Sequence, residues 1–374
     1  MKTEPKFDKD KVWAPKCMRG RPYYITHDKF VRPCCYFTDH GWESNAPEWE
    51  GGRGDNEWPI HHVKWLRDPQ TNLNNHDSVG SVFETDIYKK FFAALEKPVL
   101  NEEDLKKLPK RCIKKCYTAD PTTVTASKEE QGFGYNKKTN ADKTVSPYVH
   151  GKFAGSRKLQ IDMTHRCRLG CPKCSRFITH GPNQGQRREV LKDELTVEDF
   201  KKIVGDGLRF RNYNLCGSVG DAIYNPHFLD IIRYIKKHSK KSEGQEIWLH
   251  TNGSGKTEKW WRELYSMLDP ERDRVVFGVD GLKDTAHNYR VGINWQQSFD
   301  AMCLGVKKGK QVNWQWIPFS FNEHQIDEAR KLAEDNGINL VLRLSGRWDS
   351  VNDPLRPSAR WLPRETHHGN KKEI

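Results

Sequence analysis

No run of apolar residues in this 374-residue chain approaches the roughly 20 that a membrane span requires. The first residues, MKTEPKFDKDKVW, alternate charges where a signal peptide would carry an apolar stretch. Hydrophobic residues are scarce at 35%, but 13 Trp, 12 Tyr and 16 Phe supply bulky core material that disordered chains lack. The sequence therefore predicts a folded, cytoplasmic protein that does not enter a membrane.

Acidic residues are too few to balance the basic ones, and the net charge is +13. The excess is spread over segments such as KKHSKK (236–241) and KKGK (307–310). It indicates either an anionic partner such as nucleic acid or ordinary solvated helix ends. Ten cysteines are present, and in a cytoplasmic protein clustered cysteines bind metal or react more often than they form disulfides.

The composition changes along the chain and divides it into four segments. Residues 1–116 hold five of the cysteines and one predicted helix, Val82 to Leu95. Residues 117–156 are polar and predict a linker, and residues 347–374 form a basic, proline-broken tail that we expect to lie loosely on the surface. Residues 157–346 alternate strand-like and helical runs, which predicts a catalytic core.

This core predicts six strands separated by five helical connections. The strand-like runs are 158–164, 212–218, 246–253, 274–281, 312–321 and 338–345; the helical runs are 196–208, 226–238, 257–268, 295–309 and 323–337. Such alternation is typical of an α/β fold with a parallel sheet, whose functional groups lie at the carboxyl ends of the strands.

Three cysteines follow the first of these strands in THRCRLGCPKCSRF (164–177): Cys167, Cys171 and Cys174. A zinc site normally uses four ligands in two close pairs, and no fourth ligand follows at that spacing. Three thiolates instead suit a cubane iron-sulfur cluster with one iron left open for the nitrogen and oxygen atoms of a small molecule.

A C-x3-C-x2-C run after the first strand of an α/β barrel resembles the signature of the radical S-adenosylmethionine (SAM) superfamily. Four later segments resemble its strand motifs: LCGSVGDAIYNPHF (215–228), HTNGS (250–254), FGVDGLKDTAHNYRVG (277–292) and FSFNEHQIDEARKLAEDNGI (319–338). The resemblance covers residues 157–345. It implies a partial (β/α)6 TIM-type barrel with a [4Fe-4S] cluster that binds SAM.

The resemblance also implies which residues contact SAM. Those expected around it are Gly217, Gly220, Asp221, Thr251, Asn252 and Asp280, the first three near its amino group. Many relatives carry Ser two residues before the fourth-strand Asp, whereas this chain has Gly278. No side chain is identified as a catalytic residue.

The N-terminal cysteines resemble the SPASM/twitch auxiliary-cluster domain of many radical SAM enzymes, here placed before the barrel. Cys17 precedes an apparent hairpin that ends in Pro-Cys-Cys at Cys34 and Cys35, and Cys112 and Cys116 follow later. The final pair is C-x3-C where C-x2-C is usual, and the hairpin turn lacks the usual Gly. The resemblance implies a second [4Fe-4S] cluster on Cys17, Cys34 or Cys35, Cys112 and Cys116; a structural zinc ribbon is the alternative.

The remaining two cysteines, Cys216 in a predicted strand and Cys303 in a predicted helix, are expected to be buried small apolar residues.

Three functions follow from these expectations. The first is hydrogen abstraction from a peptide or protein by a 5′-deoxyadenosyl radical, with a flavodoxin or ferredoxin-type protein as reductant. The second is the same chemistry on a nucleotide or nucleic acid, suggested by the basic balance and by Trp314 and Trp316, although one buried face of a strand explains that pair better. The third is a non-enzymatic zinc or iron-sulfur protein that binds nucleic acid or carries electrons.

Overall fold

The protein is described from a computed structural model. It covers residues 6–13, 15, 17, 22–34, 68–106, 108, 112–113, 116–118, 148–149, 152–153, 158–177, 185–187, 192–204, 210–217, 219–238, 245–345, 348 and 350–362. Of the sequence-predicted site residues, Cys35 lies outside these ranges.

The described strands are short at the N-terminus and longer in the core. They are β1 (Val12–Trp13), β2 (Tyr23–Ile25), β3 (Val31–Arg32), β4 (Tyr117–Thr118), β5 (Tyr148–Val149), β6 (Lys152–Phe153), β7 (Lys158–Ile161), β8 (Asn212–Cys216), β9 (Glu246–Thr251), β10 (Arg274–Gly278), β11 (Gln311–Trp316) and β12 (Asn339–Leu342). The α-helices are α1 (Val79–Phe83), α2 (Asp86–Glu96), α3 (Glu102–Lys106), α4 (Val197–Val204), α5 (Phe228–His238), α6 (Glu258–Met267), α7 (Trp295–Lys307) and α8 (Ile326–Asp335).

The core of the described structure is one open sheet in the order β12-β11-β10-β9-β8-β7-β2-β3. From β7 to β12 every neighbouring pair is parallel, and one of the helices α4 to α8 connects each strand to the next. The α/β fold predicted from the sequence is confirmed, and the open sheet has the strand order of a partial (β/α)6 barrel. The carboxyl ends of all six strands therefore meet at one edge.

The N-terminal hairpin extends this sheet. β2 and β3 are antiparallel, as the sequence predicts, and β2 also pairs parallel with β7. Lys29 occupies the hairpin turn at φ 70°, a conformation that glycine usually supplies. Lys29 Nζ lies 3.5 Å from Asp199 Oδ2, which ties the turn to α4. The cysteine-rich segment thus shares a sheet with the catalytic core.

The single helix predicted over 82–95 is two helices, α1 and α2. Glu84 ends α1, and Thr85 adopts an extended backbone with its hydroxyl donating to Val82 O at 2.7 Å. This local side-chain bond replaces the helical continuation. The predicted apolar face survives the break, because Phe91, Phe92 and Leu95 are fully buried.

The aromatic pair on β11 belongs to the hydrophobic core. Trp314 and Trp316 are fully buried, and Trp314 packs edge-to-face against Trp295 and Phe299 of α7. Trp314 Nε1 also donates to Val279 O at 2.8 Å. The expected buried face is confirmed, so these rings are not a stacking platform for bases.

Replacing Trp314 with alanine is expected to lower the free energy of unfolding by about 4 kcal/mol, because a large core side chain leaves a cavity that the packed helix layer cannot fill. Denaturant unfolding followed by circular dichroism measures the change. Leu100→Ala is the control, since Leu100 is 70% exposed. Equal midpoints for the two variants would contradict this account of the core.

No helix within the described ranges is long and apolar enough to cross a membrane.

The described part of the tail is bonded to the core, whereas the sequence predicts a tail that lies loosely on the surface. Ser320 Oγ donates to Pro354 O, and Ser358 N donates to Glu323 Oε2 at 2.9 Å. These bonds hold the middle of the segment 350–362 against the β11–α8 connection, because backbone groups there find partners in that connection.

Candidate functional site

The cysteine loop follows β7 at the carboxyl edge of the sheet, where the sequence places it. Cys171 is buried, and Cys167 and Cys174 are half-buried. The three side chains pack with Leu169, Tyr289 and Phe319 in a small apolar cluster separate from the main core. Low polarity around clustered thiols keeps water away from whatever they hold.

The loop is fixed by bonds that do not involve a ligand. Gly170 N donates to Val291 O at 2.9 Å, which joins the loop to the β10–α7 connection. Arg176 Nη1 donates to Leu169 O at 3.1 Å, and Cys174 N donates to Cys171 O at 3.0 Å. The cysteine backbone is therefore preorganised before any cluster binds.

Hydrogen-bond donors also reach the sulfur atoms. Leu169 N and Asn252 Nδ2 lie 3.4 and 3.7 Å from Cys167 Sγ, and Arg290 Nη1 lies 3.9 Å from Cys171 Sγ. Burial, and then the Asp221 charge, raise the pKa of Cys167 to about 12. Without a metal this group is a thiol, and iron must displace the proton when it binds. Sulfur ligands with surrounding N–H donors fit an iron-sulfur cluster.

The loop after β8 lies directly on the cysteine loop. A Cβ on Gly220 would lie 2.0 Å from Thr164 O, and Asp221 N donates to Arg166 O at 2.8 Å. A Cβ on Gly217 would lie 1.8 Å from Gly220 O. Only glycine permits this approach, so the two glycines set the distance between the predicted cofactor loop and the cysteines.

Asp221 organises the predicted cofactor residues of β9. Its Oδ2 accepts from Thr251 Oγ1 at 3.0 Å, from Asn252 N at 2.7 Å and from Asn252 Nδ2. Its Oδ1 accepts from Ile223 N at 3.3 Å. Burial raises the pKa of this carboxyl, and the bonds from Asn252 and Thr251 oppose the rise. The structure thus brings together Gly217, Gly220, Asp221, Thr251 and Asn252.

Asp280 lies two residues after the end of β10 and is fully buried. Its Oδ1 accepts from Ile317 N at 2.7 Å, and its Oδ2 accepts from Arg290 Nε at 2.7 Å. Arg290 is a site residue that the sequence interpretation missed. The sequence signal that pointed to it was Gly278, which stands where many relatives carry Ser. In the structure, a Cβ at this position would lie 2.9 Å from Arg290 Nη2.

The N-terminal cysteines Cys17, Cys34, Cys112 and Cys116 are all buried. β1 pairs antiparallel with β4, which places the segment that leads to Cys17 beside the residues that follow Cys116. Within the described ranges, no three His, Cys, Asp or Glu side chains converge as ligands of a single metal ion.

The two isolated cysteines, Cys216 and Cys303, are half-buried rather than buried as the sequence predicts. Cys303 Sγ donates to Asn336 Oδ1 at 3.6 Å.

The described tail touches the cysteine loop through an ion pair. Lys173 Nζ lies 2.9 Å from Asp353 Oδ2, and the two side chains are 14% and 2% exposed. Trp348 and Leu355 pack against the apolar cluster around the thiols. The tail therefore forms one wall of the candidate site.

Asp353→Ala is expected to lower the free energy of unfolding by about 3 kcal/mol, because it leaves the Lys173 charge buried without this partner. Asp335→Ala is the matched control. It removes an exposed pair with Lys331, whose side chains are 77% and 57% exposed, and is expected to cost less than about 0.5 kcal/mol. Chemical denaturation measures the free energy of unfolding of both variants. Equal losses would show that the buried Lys173–Asp353 pair stabilises the protein no more than an exposed pair does.

Comparison with known proteins agrees with this geometry. Residues 161–333 match the model of the radical SAM superfamily, a range that begins in β7 and includes all three loop cysteines. A curated relative, the tungsten-containing aldehyde ferredoxin oxidoreductase cofactor-modifying protein of Pyrococcus furiosus, is 28% identical over 132 residues. Those residues are 35% of this chain and 32% of the relative, so the chain spans about a third of the relative's length.

Solved structures that match part of this chain include SuiB of Streptococcus suis bound to S-adenosylmethionine. It is 12% identical with a TM-score of 0.39, over 54% of this chain and 44% of that one. The anSMEcpe structure with bound AdoMet is 16% identical with a TM-score of 0.40, over 54% of each chain.

The family match covers the strands and loops that carry the thiols and the predicted cofactor residues, and the donors around the sulfur atoms fit the cluster that such a domain holds. Residues 161–333 of this chain therefore form a radical SAM domain, and the residues described above fit the SAM and [4Fe-4S] cofactors of that superfamily.

Proposed function

We propose that this enzyme modifies a peptide or protein by abstracting hydrogen from it. When bound, the cluster and SAM supply a 5′-deoxyadenosyl radical for that step. The observation that carries the reaction type is the contact between the cysteine loop and the Gly220–Asp221 turn, which brings the predicted iron ligands next to the predicted SAM residues.

Different residues of the chain would bind iron, exclude water and orient the SAM site. Cys167, Cys171 and Cys174 hold iron, and the apolar cluster around them excludes water. Asp221 fixes Thr251 and Asn252 through the hydrogen bonds that it accepts from them, and these residues would hold SAM. No side chain is proposed as a general acid or base.

The substrate proposal draws on the face of the sheet turned away from the helices. Residues on this face alternate with the buried core residues of each strand and carry many amides: Gln160, Asn214, Asn313, Gln315 and Asn339. Asn214 Oδ1 and Asn313 Nδ2 are buried without a hydrogen-bond partner among the described residues. Amide donors and acceptors of this kind match the N–H and C=O groups of a peptide backbone.

His250 lies on the same face, beside Cys216 of the neighbouring strand. Burial, and then the Arg343 charge, lower the pKa of His250 to about 3, so the imidazole is neutral. A neutral ring can donate and accept hydrogen bonds, as the amides do. Arg343 Nη1 donates to Gln315 Oε1 at 3.3 Å, so this face combines neutral hydrogen-bonding groups with one cation and favours a polar ligand.

The resemblance of the N-terminal cysteines to an auxiliary-cluster domain also supports a peptide substrate, and we propose a second [4Fe-4S] cluster on Cys17, Cys34, Cys112 and Cys116.

A nucleic-acid substrate is less well supported, because Trp314 and Trp316 are buried and cannot stack on bases. The match of residues 161–333 to the radical SAM superfamily model favours an enzyme over the non-enzymatic alternative.

The experiment measures 5′-deoxyadenosine formed from SAM by the anaerobically reconstituted protein with dithionite. Cell extract is then added after treatment with a protease or with a ribonuclease. We expect extract to stimulate the reaction, and protease alone to remove the stimulation. Loss with ribonuclease alone would replace the peptide by RNA, and no cleavage of SAM at all would refute the function.

A further inference from the structure

Arg290 connects a candidate cofactor residue to a candidate iron ligand. Its Nε donates to Asp280 Oδ2 at 2.7 Å, and its Nη1 donates to Cys171 Sγ at 3.9 Å. The side chain is only 19% exposed, and the guanidinium lies 5.6 Å from the ring centroid of Tyr289. A permanent positive charge therefore sits against one of the three sulfur atoms in an apolar surrounding.

The position of the guanidinium is fixed from two sides. Ile317 N holds the other oxygen of Asp280 at 2.7 Å, so the carboxylate that orients Arg290 cannot turn away. Gly278 leaves the space that the guanidinium fills, because a Cβ on that glycine would lie 2.9 Å from Nη2. The glycine and the arginine thus form a matched pair, and a larger residue at 278 would have to displace the charge.

The environment of the sulfur atoms is consequently asymmetric. Cys167 receives bonds from a backbone N–H and from the amide of Asn252, both neutral. Cys171 receives a bond from a cation. Hydrogen bonds to sulfur and nearby net charge are two of the main factors that set the potential of an iron-sulfur cluster, and charge acts more strongly where water is excluded.

We propose that Arg290 is a positioning residue that raises the reduction potential of the cluster held by Cys171. The inference rests on the proposed role of Cys171 as an iron ligand. Reduction adds one negative charge to the cluster, and a cation hydrogen-bonded to a ligand sulfur stabilises that reduced form more than the oxidised one. The added electron comes from the external reductant, and Arg290 itself gains and loses no proton.

The test is a redox titration of the reconstituted full chain without SAM, monitored by electron paramagnetic resonance. The signal of the relevant cluster is first identified as the one that changes when SAM is added to a separate sample. Arg290→Gln is expected to lower the ratio of reduced to oxidised cluster at a fixed potential at least tenfold, a shift of about 59 mV for one electron. Arg290→Lys should restore part of the shift. Arg330→Gln is the control, since Arg330 pairs with Asp327 on the exposed face of α8 and its replacement should leave the potential unchanged.

Gly278→Ser is the second variant, because it keeps the arginine but pushes the guanidinium aside. If Arg290→Gln assembles no cluster, Gly278→Ser decides: a lowered potential supports the proposal and an unchanged one overturns it. An unchanged potential in Arg290→Gln with weaker SAM binding also overturns it, and assigns the charge to the cofactor. Absence of iron from the wild-type chain would instead refute the proposed function, which separates the two failures.

Discussion

Replacing Cys171 with alanine is expected to abolish the formation of 5′-deoxyadenosine from SAM. Three thiolates are the minimum that holds a cubane with one open iron, and loss of one leaves too few soft ligands. Cys171 is the most buried of the three and belongs to the apolar cluster that contains Tyr289 and Phe319, so water has little access to take its place. The measurement is product formation under anaerobic conditions with dithionite.

Iron content gives an independent readout of the same prediction. A chain with both proposed clusters should bind about eight irons, and the Cys167, Cys171 and Cys174 triple-alanine variant should retain about four. Cys303→Ala is the matched control, because this thiol on α7 contacts Asn336 rather than the site. Unchanged SAM cleavage in Cys171→Ala would rule out its role as an iron ligand.

The fold could be predicted well from the sequence because strands and helices alternate with clear periodicity from residue 157 onward. The three loop cysteines were predictable for another reason: their spacing is local, and ligands within one loop need no tertiary information. The same holds for the hairpin formed by β2 and β3, whose turn lies between two short strand-like runs. Local patterns therefore account for most of what sequence reasoning found.

What sequence reasoning missed depends on contacts between distant segments. Arg290 reaches Cys171 across 119 positions of the chain, and Lys173 reaches Asp353 across 180. Neither pair leaves a local pattern, because charged residues are common throughout this basic chain. Gly278 departs from the Ser of many relatives, but the sequence does not show that the Arg290 guanidinium fills the space beside it.

Gly220→Ala is the second change with a large expected effect. Its Cβ would lie 2.0 Å from Thr164 O and 2.9 Å from Arg166 O, and both are backbone atoms that cannot rotate away. The β8 loop must then move off the cysteine loop, which breaks the bond from Asp221 N to Arg166 O. We expect unfolding to become easier by about 3 kcal/mol. A displacement of about 1 Å between the two loops should also slow SAM cleavage about 100-fold.

Gly170→Ala provides the matched control for this prediction, because it adds the same methyl group within the cysteine loop itself. The new Cβ would lie 3.7 Å from Val291 Cβ, an ordinary van der Waals contact. SAM cleavage by Gly170→Ala should therefore stay close to that of the wild type, while cleavage by Gly220→Ala should be about 100-fold slower. If the two variants behaved alike, close approach of the Gly220–Asp221 turn to the thiols would not be what positions SAM, and the site would have to work through Asn252 and Asp280 instead.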